Sequence, residues 1–595
     1  MRKRSLLAAL AVSAAMIVAA CGGGSGTSNS NTLLFGDYQD VDSLGPYWGT
    51  VMAANVITTT EAGLVYLDGN LKMQPYMTKK IPTIGDGWEM PGPDGLAARM
   101  TWEISPWKWS DGTDLTCADF QYWLEWTSIE ANIASKEHVN AIDSIDCPTP
   151  TTIVVNYKTL YAYMKYGPGF LPKQYYSKFT IGTAGAGDPT TDTSTDMLLG
   201  AGFRANQLPD VPTSGPFKFE SRTPGIEVVV TKNQYFKDPI TGAGPKIDRI
   251  KFIVCGAPET CIAKFRAGEL DVVTDLTGAD KAGTDDLGDQ QKALPSLFTE
   301  FLRPNFDPDH CTLGVSAAND PEGLLPNAEA RGGGCPASDL AFRKAISAAI
   351  DRDGLLERVQ GGLGFVSYSL YPQQFAYWTD QSARVEAYSL ERVAQILSEG
   401  GWSDTNGDGT VDKVLNGKRT EAIVELCTTM RPTRKATAEI LAADLATVGV
   451  KLIWNGGGTI FAGLTDVPED TQCNLDWGNF DFALHAFSFN RPDFGSYNDM
   501  HSSQTPPNGG TNAQRINVPE IDEVALASLT TVDEAGQIAL GQRNVDLITD
   551  YAVYIPLHYW MDVLLVSSKV SGWEFNLIGG PLWNITSWEF APASN

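Results

Sequence analysis

Apolar and polar positions follow two different periods along this chain, and each change of period marks an element. Period-two runs predict strands at Thr32–Phe35, Thr152–Tyr157, Glu227–Thr231, Ile250–Val254, Ile423–Leu426 and Phe482–Phe487. Helical spacing predicts a helix over Leu340–Val359, with Phe342, Ala345, Ile346, Ala349, Ile350 and Leu356 on one face. A second helix is predicted from about Thr433 to Val448; it stops at Gly449 and leads into a strand, Val450–Trp454. A third, marked by Val393, Ile396 and Leu397, ends at Gly400-Gly401. Strands interleaved with helices predict α/β lobes. The Gly/Asp/Thr-rich run 182–195 and the acidic run 279–290 break both periods and are expected to be surface insertions.

The first residues carry a different pattern. Arg2, Lys3 and Arg4 precede an apolar stretch, Leu6–Ala20, that is too short to span a bilayer comfortably and is expected to be a secretory signal. It ends in Val18-Ala19-Ala20-Cys21. Small residues before a cysteine fit a lipoprotein cleavage site, with Cys21 acylated; the alternative is an ordinary signal ending in a chance cysteine. Residues 22–31, Gly/Ser/Asn-rich, would form a flexible tether. The expected location is the extracytoplasmic face of the cell membrane, reached by a lipid anchor and not by a spanning helix.

Composition narrows the picture further. The chain has 595 residues, 43% of them hydrophobic, enough for several cores. Its formal charge of −27 becomes −30 once the three cations of the signal are removed, which argues against nucleic acid as a partner. Besides Cys21 there are eight cysteines, an even number that favours disulfides in an exported protein. Nearest-neighbour pairing would join Cys117 to Cys147, Cys255 to Cys261, Cys311 to Cys335 and Cys427 to Cys473, although sequence leaves the connectivity open. No CxxC, HExxH, GxSxG or phosphate-binding P-loop occurs, so zinc-ribbon, protease, esterase and nucleotide chemistry have no motif to stand on and no enzyme is expected. A surface-anchored hydrolase remains the alternative of a different class, because paired carboxylates are inevitable among 71 acidic residues.

Several segments resemble, in order, those of the family 5 extracellular solute-binding proteins, the oligopeptide-binding group of ABC importers. Trp107-Lys108-Trp109-Ser110-Asp111-Gly112, followed by Leu115-Thr116-Cys117-Ala118-Asp119, is similar to the family's Trp-Ser-Asp-Gly…Leu-Thr-Ala-x-Asp signature, with Cys117 in place of the Ala. The motif is structural: a tight turn at Asp111-Gly112, then a helix capped by Thr116 with Asp119 three residues on. Thr213-Ser214-Gly215-Pro216-Phe217, Gly268-Glu269-Leu270-Asp271, Arg343-Lys344-Ala345 to Ala349-Ile350-Asp351-Arg352, and Tyr554-Ile555-Pro556-Leu557 resemble further family elements. The resemblance implies a two-lobed, hinge-closing α/β fold of the periplasmic-binding-protein type II with an extra subdomain. Lobe I would comprise 32–70, 205–300 and 555–595, the extra subdomain 71–204, and lobe II 301–554. It also implies a permease partner, a monomeric chain, and a solute held between the lobes.

Peptide-binding relatives hold the ligand's amino group with an Asp in a Trp-x-x-Asp-Tyr segment. Here Phe487 replaces the Trp and Asn490 stands where the Asp belongs, with Asp493 nearby as a substitute. A neutral amide cannot pair a desolvated ammonium, so both an oligopeptide and an oligosaccharide remain candidate ligands. The expected contacts are Tyr47, Trp48, Tyr377, Trp378, Phe487, Phe489, Asn490, Arg491 and Asp493, weighed against the ordinary core packing of aromatics. No cofactor is expected apart from a candidate structural calcium at Asp404, Asn406, Asp408 and Asp412, where oxygen side chains recur at calcium-loop spacing. The alternative there is a polar turn, since position 12 is Leu415 and not a bidentate Glu.

Overall fold

In the computed structural model the described residues are 31–41, 50–128, 137–177, 211–308, 334–456, 460–461, 467–469, 471–489, 491–507 and 510–591. Cys21, Tyr47, Trp48, the 182–195 run, Cys311 and Asn490 lie outside them. One mixed sheet runs through both lobes. Its labelled strands are β1 (Thr32–Asp37), β2 (Phe217–Thr223), β3 (Glu227–Lys232), β4 (Arg249–Val254), β5 (Val272–Leu276), β6 (Gln291–Pro304), β7 (Ile423–Thr428), β8 (Lys451–Gly456), β9 (Phe482–Ser488) and β10 (Ile555–Val566). Their order is β2-β3-β4-β1-β5-β10-β6-β9-β7-β8, and Phe365–Val366 pairs with β10 as an eleventh strand.

Strand β1 is parallel to β4 and β5, and β7 is parallel to β8 and β9, so each lobe has a parallel centre. In the series β5, β10, β6 and β9 each strand is antiparallel to its neighbour, and the series joins the two centres. Period-two burial follows: Leu33 and Phe35 of β1 pack with Met52, Ala53 and Val56 of α1 (Val51–Thr60) in one core of lobe I. The opposite face of that sheet packs on Cys261, Ile262 and Phe265. The extra subdomain has its own five-stranded sheet, with Ala98–Glu103 and Thr152–Tyr157 paired at its centre, and its own core of Trp88, Met100, Trp102, Phe120 and Tyr157. Helix α2 (Cys117–Thr127) opens with the reciprocal Thr116–Asp119 cap that the sequence predicts. At the preceding turn Gly112 has φ +89, and a Cβ there would lie 2.8 Å from the Tyr235 ring.

The helix expected over Leu340–Val359 is two helices, α3 (Leu340–Ala348) and α4 (Arg352–Gln360). Asp351 caps the second, its side chain accepting the Gly354 N–H, so the apolar face continues across a break in the backbone. Helices α5 (Leu390–Glu399) and α6 (Pro432–Ala446) fall where their patterns predict. With α3 and α4 they cover one face of lobe II, over a core of Phe342, Ile346, Val393, Leu397, Trp402, Leu441, Phe482 and Leu484. The acidic run 279–290 is largely helical, as Gly278–Ala282 and the 3-10 turn Asp285–Gln290.

Three disulfides match nearest-neighbour pairing: Cys117–Cys147, Cys255–Cys261 and Cys427–Cys473. Cys335 is disulfide-bonded as well. Cys427–Cys473 clips a 46-residue separation between β7 and the segment before β9. Replacing both cysteines by Ala is expected to lower unfolding free energy by about 4 kcal/mol on loop-closure grounds. Denaturant titration of the double variant beside wild type checks this.

Candidate ligand-binding cleft

The parallel strands of the two lobes end at the same place. The C-terminal end of β1 presents Asp37, that of β5 Asp275, and that of β7 leads through Thr429 to Arg431 and Arg434 at the start of α6. Ligands of open α/β sheets characteristically sit at the carboxyl ends of strands. Here those ends surround a cavity of about 880 Å³. Lobe I contributes Gln39, Asn55 and Asp275, lobe II contributes Arg431, Ser488 and Arg491, and Tyr76 and Tyr166 reach in from the extra subdomain. Strands β6 and β10 cross from one lobe to the other, with Ser296, Phe298, Trp560 and Asp562 lining the cavity. Their ladder shifts register between the Pro295–Met561 and Thr299–Tyr559 pairs, where Ser296, Leu297 and Phe298 of β6 stand against the single Trp560 of β10. Such an irregularity re-aims side chains, and it does so at the cleft.

Glu300 and Arg434 anchor the lobe II side. Both are buried; Nε and Nη2 of Arg434 donate to Glu300 at 2.6 and 3.1 Å, and Trp560 Nε1 donates to the same carboxylate at 3.0 Å. Burial opposes ionisation of Glu300, but the charge and hydrogen bonds of Arg434 outweigh it and hold the carboxyl below its ordinary value. The Trp560 ring is thereby fixed. Phe298 stacks on it at 5.1 Å, and the Arg431 guanidinium lies 4.4 Å from its centroid. His558, opposite Glu300 in the ladder, is buried; desolvation, with Arg434 and Arg431 adding to it against the pull of Glu300, pushes it down to about 4.

The lobe I side is acidic. Asp37 is fully buried; its Oδ1 accepts the Gln39 N–H at 2.9 Å and its Oδ2 has no hydrogen-bond partner. Asp275, at φ 56, also keeps a buried Oδ2 without a partner. It faces Arg431 at 3.6 Å, an ion pair that bridges the two lobes. Burial raises Asp37 well above the ordinary carboxylate range, with Asp275 adding to it. Burial raises Asp275 too, against Arg431, and lifts Asp562 to about 7 with help from Asp275.

Of the residues singled out in the sequence, Arg491 lines the cavity, its guanidinium over the Tyr163 and Tyr166 rings at 5.1 and 5.4 Å. The neighbouring aromatics go elsewhere. Phe482 and Leu484 lie in the α3–α6 core, and the same side of β9 continues into the cleft as Ala486 and Ser488. Phe487 therefore faces the other way, against Phe301 and His485, and Phe489 packs on Tyr371. Tyr377 is buried against Tyr371 and Phe494, and Trp378 donates to Tyr559 Oη at 3.0 Å. Asp493, expected as a substitute ammonium binder, already accepts from Lys165 and from Tyr166 Oη at 2.6 Å. His485 is buried in the same aromatic core, and desolvation pushes it well below its ordinary value.

In the Asp404–Asp412 loop, Asp404 accepts the N–H groups of Gly407 and Gly409, and Asp408 accepts from Asn406 and Thr410. Asp412 is committed to Thr405 and to Arg419 at 2.9 Å. Among the described residues, the one set of three ligand atoms that converges closely is Glu425, Cys427 and Cys473, whose cysteines form a disulfide. Sequence reading missed Asp37, Asp275, Glu300, Arg431, Arg434, Trp560 and Asp562. The Arg431-Pro432 start of a helix just after a buried strand was the available signal for two of them.

Two lobes joined by crossing strands, with a lined cleft between them, define a solute-binding architecture. The family model for bacterial extracellular solute-binding proteins, family 5 (middle), matches residues 99–509, and the chain belongs to that family. It is 24% identical over 357 residues to the nickel-binding periplasmic protein of Escherichia coli (strain K12), covering 59% of this chain and 60% of that protein. To the oligopeptide-binding protein AppA of Bacillus subtilis (strain 168) it is 23% identical over 385 residues, covering 64% and 62%. The chain thus spans about 60% of the length of these curated relatives. Among solved structures it resembles the oligopeptide-binding protein of Thermus thermophilus with a pentapeptide (TM-score 0.74, 17% identity, 94% of this chain and 96% of that one). It also resembles AppA from Bacillus subtilis with a nonapeptide (0.70, 18%, 94% and 99%) and NikZ from Campylobacter jejuni with Ni(L-His) (0.69, 18%, 94% and 99%). These establish the fold.

Two outcomes follow from the buried charges. Glu300→Gln leaves the Arg434 guanidinium buried without its counter-charge and is expected to cost about 3–5 kcal/mol in denaturant titration, partly recovered by Glu300→Gln with Arg434→Met. His558 stays neutral in the fold down to about 4 while its ordinary value is 6.5, so the unfolded chain takes up that proton first. The stability it contributes is complete above pH 6.5 and is lost as pH falls toward 4, by roughly 1.4 kcal/mol per pH unit. His558→Gln should flatten the acid limb of the stability–pH curve by that slope.

Proposed function

We propose that this chain is the solute-capturing subunit of an ABC importer, closing over an extended solute and presenting the closed form to a membrane permease. The observation that carries the reading is the cavity of about 880 Å³ whose walls come from both lobes and are bridged by Arg431–Asp275. A pair of that kind forms only when the lobes approach, so the cleft holds groups that report closure. Family membership supports the same reading. Solute binding shifts an open–closed population, and the permease reads that shift.

An oligopeptide is the favoured ligand class, in keeping with relatives named as oligopeptide-binding; an oligosaccharide is the second. Acylation of Cys21 would tether the monomeric chain to the outer face of the membrane. Thermal-shift screening with oligopeptide and oligosaccharide libraries tests the function. A specific ligand should raise the melting temperature without being turned over, by an amount corresponding to about 2.7 kcal/mol at a hundredfold excess over Kd. Turnover of the ligand, or no response to either library, would refute the reading. Cys21→Ser should release the chain or stall its processing; unchanged membrane retention and maturation would refute the anchor.

A further inference from the structure

We propose that the lobe I wall of the cleft is a subsite for a cationic group of the solute, an ammonium or a guanidinium, held by Asp275 and Asp562 with Asp37 behind them. The inference rests on the solute-binding reading above and specifies the ligand's charge. It starts from a charge imbalance. Asp275 and Asp562 line the cavity, and Asp275 interacts electrostatically both with Asp562 and with the fully buried Asp37. Among the described residues, the ion pair that serves these three carboxylates is Arg431–Asp275, at 3.6 Å. The other guanidinium nearby, Arg434, is spent on Glu300. Arg491, on the far side, lies over two tyrosine rings.

The second observation concerns individual oxygens. Asp275 is 9% exposed and Asp37 0%, and each keeps an Oδ2 buried with no hydrogen-bond partner. A buried carboxylate oxygen left unpaired is costly, and the cost is recovered when a donor arrives. Asp275 and Asp562 line the cavity, so the donor's route is through the solute site. Lobe II offers no free equivalent in Asp493, which Lys165 and Tyr166 occupy. A neutral sugar hydroxyl would satisfy one oxygen and leave burial to keep the carboxyls raised, whereas an ammonium or guanidinium supplies donors and charge together and favours their ionised form. A bare metal ion fits less well: no three carboxylate, imidazole or thiolate ligand atoms of this wall converge within 4.8 Å among the described residues.

Calorimetry on the mature chain at neutral pH tests the subsite with matched alanine pentapeptides. One has a free amino terminus, one is N-acetylated, one is N-acetylated with a central lysine, and the last carries acetyl-lysine at that position. A cationic peptide should bind about tenfold more tightly than its neutral match. Whichever acetylation abolishes that preference tells an amino-terminal ammonium from a side-chain one. Asp275→Asn should remove most of the preference, read as the ratio of cationic to neutral affinity within the same variant, so that any change in cleft closure common to all the peptides cancels. Asp562→Asn and Asp37→Asn carry the test if Asp275→Asn fails to fold. Equal binding of neutral and cationic peptides, or a preference that survives all three substitutions, overturns the subsite and leaves the solute-binding function standing. Nickel ion alone binding to wild type and not to Asp275→Asn, with no preference among the peptides, overturns it in favour of a metal. No binding by any peptide, oligosaccharide or metal overturns the function and the subsite together.

Discussion

The pairing of β6 with β10 is the constraint on which the rest of the structure depends. Strand β10 pairs with β5 on one side and β6 on the other, and β6 pairs with β9, so the two parallel centres are joined inside one hydrogen-bonded ladder. The register of that ladder places Glu300 opposite His558, and its irregularity displaces Ser296, Leu297 and Phe298 toward the cavity. The walls it aligns are opposite in character: guanidinium and indole on one side, carboxylate on the other.

That opposition rests on burial. On lobe II the Glu300–Arg434 pair is complete and bidentate, and it holds Trp560 by the indole N–H. Desolvation there is offset within the protein. On lobe I the carboxylates of Asp37, Asp275 and Asp562 are desolvated with one guanidinium, Arg431, between them, and burial drives all three upward. Arg431 reaches Asp275 from the start of α6, far along the chain, at 3.6 Å. Tyr38 and Ser296 also reach Asp275 and Asp562, against the burial that raises both carboxyls.

Relatives within this family bear names as different as nickel-binding and oligopeptide-binding on one architecture. The present cleft shows how a common backbone accommodates that range. The strand ends and the joining ladder form the frame, and the charged groups Asp275 and Arg431 sit on it at the cavity. The bulk of the hydrophobic cores lies away from the cavity, under helices or in the extra subdomain.

Local order was legible in the sequence because its causes are local. Period-two burial located β1, β7 and β9, Thr116 and Asp119 announced a capped helix, and neighbouring cysteines indicated three bridges. Asp351 was a cap in plain view, yet the apolar face on either side of it suggested one helix, since an apolar stripe continues across a short break. The ordered motifs, from Trp107-Lys108-Trp109-Ser110-Asp111-Gly112 to Tyr554-Ile555-Pro556-Leu557, identified the family for the same reason: each is a turn, cap or strand entry made by adjacent residues. The site was not legible. Alternation along β9 shows that Phe487 and Ser488 face opposite ways, but it does not say which way is the cavity, and aromatic character pointed to the face that packs on Phe301 and His485. Asp37, Asp275, Glu300, Arg431, Trp560 and Asp562 come from widely separated segments and meet only because the two lobes share β6 and β10. Their charge states depend on water being excluded, which is a property of the packed structure and of no segment taken alone.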